Sequence, residues 1–319
     1  MKDIKVSSLD KVNIIFICGA LRSGSTLFHL MLNSHPKIIN PGELDFLFDR
    51  VSENGEYPNI SDYIKYLKSD RIFNSTSLNI NDSLGYSDLI KSFISQMNEE
   101  DKFLAINIHR NFEHAYSLFP DAKYIHLLRD PRDVARSSIG MNWTGNVYYG
   151  VDHWISTEKS WDKLTRLIND GQYIEVRFEK LISESESTLE YVCKFLNIPF
   201  SNKMFNYENN STYSKPDITL INQWKRKLNA KELQHVECKT QSMMSLRNYE
   251  LSGHPVTNPG IFECIQLYIQ NKMFKINKGV ERYGLVLYFF YRVTGRLNLN
   301  SWHTLLKNKI SVIDNKFLK

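Results

Sequence analysis

Residues 13–26 read N-I-I-F-I-C-G-A-L-R-S-G-S-T, and this stretch restricts the fold more than any other. Apart from Asn13, residues 12–18 form an apolar run of β-forming side chains. Such a run suits a strand buried on both faces of a parallel sheet. Glycine and hydroxyl residues then break the pattern. Residues 24–33 resume with Leu27, Leu30 and Met31 at helical spacing, until Ser34-His35-Pro36 ends the helix. Strand, tight loop and helix in this order open a βα unit.

The rest of the chain repeats the alternation. Strands are expected at 103–108, 124–128 and 173–177. Helices are expected at 111–119, from Pro131 onward, at 151–168 around Trp154 and Trp161, and at 187–196 before Asn197-Ile198-Pro199. Proline suits the first helical turn, where its missing N–H costs nothing. The pattern predicts an α/β fold with a central, mainly parallel sheet flanked by helices. Residues 49–102 are rich in Asn, Ser and Asp with weak periodicity, and read as a helical or loop-rich insertion. No internal repeat or low-complexity tract is visible.

Composition excludes several classes. A chain of 319 residues can bury a core as one large domain or two small ones. The four cysteines, Cys18, Cys193, Cys238 and Cys264, form no C-x-x-C pair, which argues for reduced structural thiols. Residues 1–11 mix Lys2, Asp3, Lys5 and Asp10 with apolar residues and lack a secretory apolar run. The apolar stretch 283–291 is far short of the ~20 residues that span a bilayer. A cytoplasmic protein is expected. The net charge of +5 does not by itself imply nucleic acid. Its distribution is uneven: from Leu251 onward ten Lys/Arg face three Asp/Glu, leaving a net −2 for residues 1–250.

The loop at 19–26 carries chemistry. Small residues at a helix N-terminus let backbone amides approach an anion closely. Arg22 adds fixed positive charge, and Ser23, Ser25 and Thr26 add hydroxyl donors around Gly24. The alternative is an ordinary Gly/Ser-rich βα turn. The loop nearly matches the ATP-binding G-x-x-x-x-G-K-[ST] pattern, but Ser25 stands where the lysine belongs. A second element, Y-I-H-L-L-R-D-P-R-D-V-A-R-S-S at 124–138, puts Arg129 at a strand end and Ser137 two turns into the next helix. An arginine and a hydroxyl so placed can clamp a second phosphate. Alone, R-D-P-R-D could equally be a solvated turn with local ion pairs.

Together the two elements resemble the nucleotide signatures of sulfotransferases that use 3′-phosphoadenosine 5′-phosphosulfate (PAPS). Further motifs follow in order: His35-Pro36 with Pro41-Gly42-Glu43, the stretches 110–114 and 118–122, R-F-E-K-L at 177–181 running to F-L-N-I-P-F at 195–200, and W-K-R-K-L at 224–228. They are similar to the bacterial and tyrosylprotein-type branches over residues 12–250. The resemblance implies a P-loop NTPase-like sulfotransferase fold and sulfuryl transfer from PAPS to a hydroxyl or amine, without a metal. It places the 5′-phosphosulfate on residues 22–26, the 3′-phosphate on Arg129 and Ser137, and the adenine near Phe178.

Arg22 is the expected stabiliser of the leaving phosphate, unless it pairs with an acid such as Asp45. Glu43 is the expected general base, unless it caps a helix or lies idle on the surface. Asp45 is the second choice, and His35 or His109 are candidates on a histidine-base pattern. Two departures stand out. Asn107 occupies the place of a common lysine, with His109 or Arg110 as substitutes. Phe178 replaces a tyrosine that can hydrogen-bond adenine.

The expected organisation is a catalytic domain over 1–255, with residues 46–102 as a variable insertion on the acceptor side, and a basic, aromatic, helical extension over 256–319. The acceptor is left open among a small metabolite, carbohydrate, lipid or peptide. Phe46, Trp143, Tyr148 and Tyr149 are expected either to line its pocket or to sit in the core. The extension either packs on the core or forms a homodimer contact, or else touches a membrane from its periphery. The competing functions are a P-loop nucleotide kinase or NTPase, and a non-catalytic nucleotide-binding relative.

Overall fold

The computed structural model describes residues 12–211, 215–297 and 299–315. The N-terminal residues read above for a leader lie outside the described residues. Strand β1 (Asn13–Gly19) occupies the centre of a five-stranded sheet in the order β2-β3-β1-β4-β5. The others are β2 (Ile38–Ile39), β3 (Phe103–Ile108), β4 (Lys123–Leu128) and β5 (Tyr173–Arg177), and every pairing is parallel. Four of these strands are the expected ones. The two-residue edge strand β2 is an addition, too short to leave a pattern in the sequence.

Alternation along β1 explains the continuous apolar run. Phe16 and Cys18 face one core with Leu104, Ile106 and Tyr124. Ile15 and Ile17 face the other with Ile125, Leu127 and Val176. All are buried, and each large apolar side chain withdrawn from water contributes about 1.5–3 kcal/mol. Helix α1 (Ser25–Asn33) covers the second face; the insertion supplies α2 (Ile60–Ser69), α3 (Arg71–Ser75) and α4 (Tyr86–Met97). Asn59 and Asp70 cap α2 and α3 through their side chains. Helix α5 (Phe112–Leu118) follows β3, and with α4 it covers the first face.

After β4 come α6 (Pro131–Gly140), α7 (Val147–Gly150) and α8 (Asp152–Leu164). Helix α8 is shorter than the expected 151–168. Asp130 caps α6 by accepting from the Arg132 N–H, with Pro131 at the first position. Helices α9 (Phe178–Ser183) and α10 (Ser185–Leu196) complete the second face, and α11 (Trp224–Lys227) and α12 (Ala230–Leu246) pack beside α6 and α8. The extension is helical: α13 (Ile261–Tyr283), α14 (Leu285–Arg296) and α15 (Asn300–Asn315). Helix α13 is pinned to the turn before α7, where Gly145 N–H donates to Asn271 Oδ1 at 2.8 Å and Asn146 Nδ2 to the Leu267 carbonyl at 2.9 Å.

The topology positions the site. The loops after β1 and β4 leave neighbouring strands at their carboxyl ends, the usual ligand crevice of an open parallel sheet. Gly19 permits the close approach: a Cβ there would lie 2.5 Å from the Leu127 carbonyl oxygen.

Candidate functional site

The β1–α1 loop turns through two left-handed residues, Arg22 at φ 74° and Gly24 at φ 89°. Gly24 is obligatory, because a Cβ would also strike the Phe178 ring at 2.2 Å. The first α1 hydrogen bond runs from Phe28 N–H to the Gly24 carbonyl. The amides before it therefore lack intrahelical partners, and the first turn carries no acid. Gly24, Ser25, Thr26 and Leu27 line a cleft of about 640 Å³.

The β4–α6 element meets this loop directly. Arg22 Nε donates to Ser137 Oγ at 3.0 Å. Arg129 donates to the Arg22 carbonyl at 2.8 Å and to the Leu220 carbonyl at 3.0 Å. Its guanidinium lies 4.1 Å from the centre of the Phe178 ring. Arg129 is buried, its Nε has no partner among the described residues, and burial lowers its pKa without removing its charge. The second arginine of R-D-P-R-D is different: Arg132 is held by Asp130 and Glu237 and is structural. Arg22 does not pair with Asp45; no carboxylate lies within 4.0 Å of it among the described residues.

One cleft residue escaped the sequence reading. Asp133 accepts from Trp224 N–H at 2.8 Å through one oxygen, while the other is buried without a partner. Burial pushes its pKa up to about 6, against the opposing charge of Arg129. Trp143, one of the aromatic candidates, lines this cleft, with the Arg22 guanidinium 5.9 Å from its ring centre. The other aromatic candidates sit elsewhere. Phe46 is in the core, and Tyr148 and Tyr149 pack against Lys239.

A second cavity of about 800 Å³ abuts the cleft. Arg71, Ile72 and residues 75–79 of the insertion wall it, with Gln96 and Met97. Thr26 and Glu43 line both spaces. Glu43 owes its place to backbone geometry. Gly42 turns at φ 95°, and Glu43 then bridges Asn107 in parallel, flanked by the Asn107 N–H to Gly42 carbonyl bond and the Leu44 N–H to Asn107 carbonyl bond.

The Asn107 side chain has a defined task. It accepts from Asn40 Nδ2 at 3.2 Å and donates to the Ser25 carbonyl at 3.3 Å. It thus braces the Glu43 turn against the β1–α1 loop. Of the two residues offered in place of the lysine, one is committed elsewhere. Arg110 makes a two-pronged pair with Asp49, 2.6 Å at each contact.

His109 is buried with Nδ1 2.8 Å from Asp45 Oδ2, and its own N–H donates to Asp45 Oδ1 at 2.7 Å. Its Nε2 faces Glu43 Oε1 at 3.8 Å and Ser25 Oγ at 3.5 Å. Burial alone would lower the His109 pKa, but Asp45, with Glu43 behind it, holds it above the ordinary value. Burial opposes the charge on Asp45 as well, and His109 and Arg110 overcome it and keep that carboxyl low. Asp45 is therefore engaged beneath the site rather than open to an acceptor. His35 is remote: its ring contacts the Pro199 carbonyl and the Lys37 N–H.

The model of the Sulfotransferase family matches residues 14–202. An uncharacterised protein of Aquifex aeolicus is 25% identical over 60% of this chain and 26% of its own length. Protein-tyrosine sulfotransferase A of Caenorhabditis elegans is 23% identical over 61% of this chain and 52% of its own length. The chain thus spans about a quarter and about half of these relatives. Among solved structures, the sulfotransferase domain of the Synechococcus PCC 7002 olefin synthase superposes with a TM-score of 0.57 at 20% identity, covering 76% of this chain and 98% of that one. That likeness is one of fold.

Proposed function

Because the chain belongs to the sulfotransferase family, we propose that it moves a sulfuryl group from PAPS to a hydroxyl or amine of an acceptor held in the second cavity. The observation that carries this reading is the position of Glu43. It lines both the anion cleft and the adjoining cavity, where a base must sit to receive an acceptor proton.

The residues present fit the donor. A buried Arg129 with an unpartnered Nε and a buried Ser23 with an unpartnered Oγ are donors without acceptors. The α1 amides with Arg22, Ser23, Gly24, Ser25 and Thr26 would hold the 5′-phosphosulfate. Arg129 and Ser137 would hold the 3′-phosphate, with Phe178 seating the Arg129 guanidinium. When bound, PAPS supplies an activated sulfuryl group on a phosphate leaving group.

The chain's own residues then divide the work. Arg22 and the helix amides concentrate positive potential where leaving-group charge develops. Glu43 takes the acceptor proton. Asp45 fixes the orientation of His109, whose Nε2 lies 3.8 Å from Glu43. Asn107 keeps the base and the anion loop in register. A P-loop kinase reading is disfavoured by Ser25, which cannot supply the ammonium that contacts a β/γ-phosphate chain.

The test is transfer of label from PAPS to a panel of hydroxyl and amine acceptors. Wild-type protein should form labelled product, and Glu43→Gln should keep nucleotide binding while losing turnover. Wild-type turnover in that variant would reassign the base.

A further inference from the structure

The extension exposes an apolar surface that its own packing does not use. One side of α13 carries Leu267 and Asn271, which are buried against the domain. The opposite side carries Ile261, Phe262, Ile265, Ile269, Met273 and Ile276, all exposed, with Phe262 at 89%. At 3.6 residues per turn these positions span an arc of roughly 120°. Helix α14 repeats the arrangement with Leu285, Val286, Phe289 and Phe290 exposed, and α15 with Trp302, Leu305 and Val312. Between the last two helices lies an apolar groove of about 610 Å³.

Charge decides what covers this surface. The three acids of these helices are already neutralised: Glu263 by Lys231, Glu281 by Lys278, and Asp314 by Arg282. The cations Lys272, Lys275, Arg292, Arg296 and Lys309 have no carboxylate partner among the described residues. Lys272 lies within the apolar arc, its ammonium 5.5 Å from the Tyr268 ring centre. Long basic side chains with apolar stems and charged tips suit an interface between hydrocarbon and anionic head groups. A second copy of the chain would bring the same unneutralised cations against themselves. No helix among the described residues is long and apolar enough to cross a membrane.

We propose that α13–α15 form a docking surface for an anionic lipid bilayer, lying in the head-group region with the exposed apolar stripes turned inward. The surface is tied to the insertion that walls the second cavity: Lys307 Nζ reaches Ser69 Oγ at 3.5 Å, two residues before Arg71. Docking is independent of nucleotide, so it stands or falls separately from the transfer activity.

The test is co-flotation of the full chain with vesicles of phosphatidylcholine alone and of phosphatidylcholine mixed with phosphatidylglycerol, with molar mass from light scattering. The expected result is flotation with the anionic vesicles, weakened by salt, and a monomer in solution. Phe262→Ser/Phe289→Ser/Trp302→Ser, all at exposed positions, should reduce binding, and Lys272→Glu/Lys275→Glu/Arg292→Glu should reduce it by roughly tenfold or more. Both variants should keep the wild-type thermal shift with 3′-phosphoadenosine 5′-phosphate, which reports that the domain is folded. No flotation of the wild type, or equal flotation of both variants, overturns the proposal. So does a stable dimer that the apolar substitutions dissociate, since a second copy would then cover the surface.

Discussion

Arg22 Nε donates to Ser137 Oγ at 3.0 Å, joining the β1–α1 loop to helix α6 across 115 residues of sequence. On the proposed reading both groups serve a phosphate of the donor. Removing the hydroxyl should therefore loosen nucleotide binding without emptying the site. Ser137→Ala should weaken 3′-phosphoadenosine 5′-phosphate by roughly tenfold, whereas Arg22→Ala should lower turnover by about 10²-fold or more. Titration calorimetry and steady-state rates separate the two. A Ser137→Ala protein with unchanged affinity would remove the serine from the clamp.

Asn107 supports the site from beneath rather than standing in for a charge. Asn107→Ala removes the brace between Asn40 and the Ser25 carbonyl in a fully buried position, and should cost on the order of 1–3 kcal/mol of stability. Asn107→Lys should destabilise the protein and lower turnover, because it breaks the bonds to Asn40 and the Ser25 carbonyl at a buried position. Denaturant unfolding and rate measurements check both. A faster Asn107→Lys enzyme would show that the missing lysine limits catalysis.

The pairing of His109 with Asp45 makes a signed pH prediction. The His109 pKa is raised from the ordinary 6.5 chiefly by Asp45 opposing burial. The stability it contributes is present below 6.5 and is lost as pH rises through the higher folded value. Asp45→Asn should bring the His109 pKa down to 6.5 or below, as read by NMR titration of its ring protons. An unchanged pKa would show that Asp45 does not hold the proton.

Asp133 behaves in the opposite sense from a salt-bridged carboxylate. Its folded pKa, pushed up to about 6, exceeds the ordinary 3.8, so the native state loses relative stability as pH rises through that window. Asp133→Asn keeps an acceptor for the Trp224 N–H and should raise the melting temperature above pH 6, by up to about 2–3 kcal/mol of stability. The gain should vanish near pH 4. A variant that melts below the wild type at neutral pH would contradict this.

Much of the fold was legible because its determinants are local. The run ending at Cys18, the proline starting α6 and the repeated strand–helix alternation all lie within short windows of sequence. The insertion was less legible, because α2, α3 and α4 are short and rest on the caps Asn59 and Asp70 and on burial of Tyr63, Phe73 and Phe93. At the site, the β1–α1 loop and the β4–α6 element could be picked out because each is written in consecutive residues. The Asp45–His109–Glu43 arrangement could not, since it depends on the left-handed Gly42 and on the bridge from Glu43 to Asn107. Asp133 was hidden for a similar reason: its orphaned oxygen exists only once α11 packs against α6.

The central claim is that the cleft at Arg22, Arg129 and Ser137 holds a nucleotide with two separate phosphates. Thermal shift with 3′-phosphoadenosine 5′-phosphate, set against ATP, ADP and AMP, tests it most directly. The account predicts stabilisation by the 3′-phosphorylated nucleotide alone, lost in Arg129→Ala. Stabilisation by ATP with none by the 3′-phosphorylated nucleotide would contradict it.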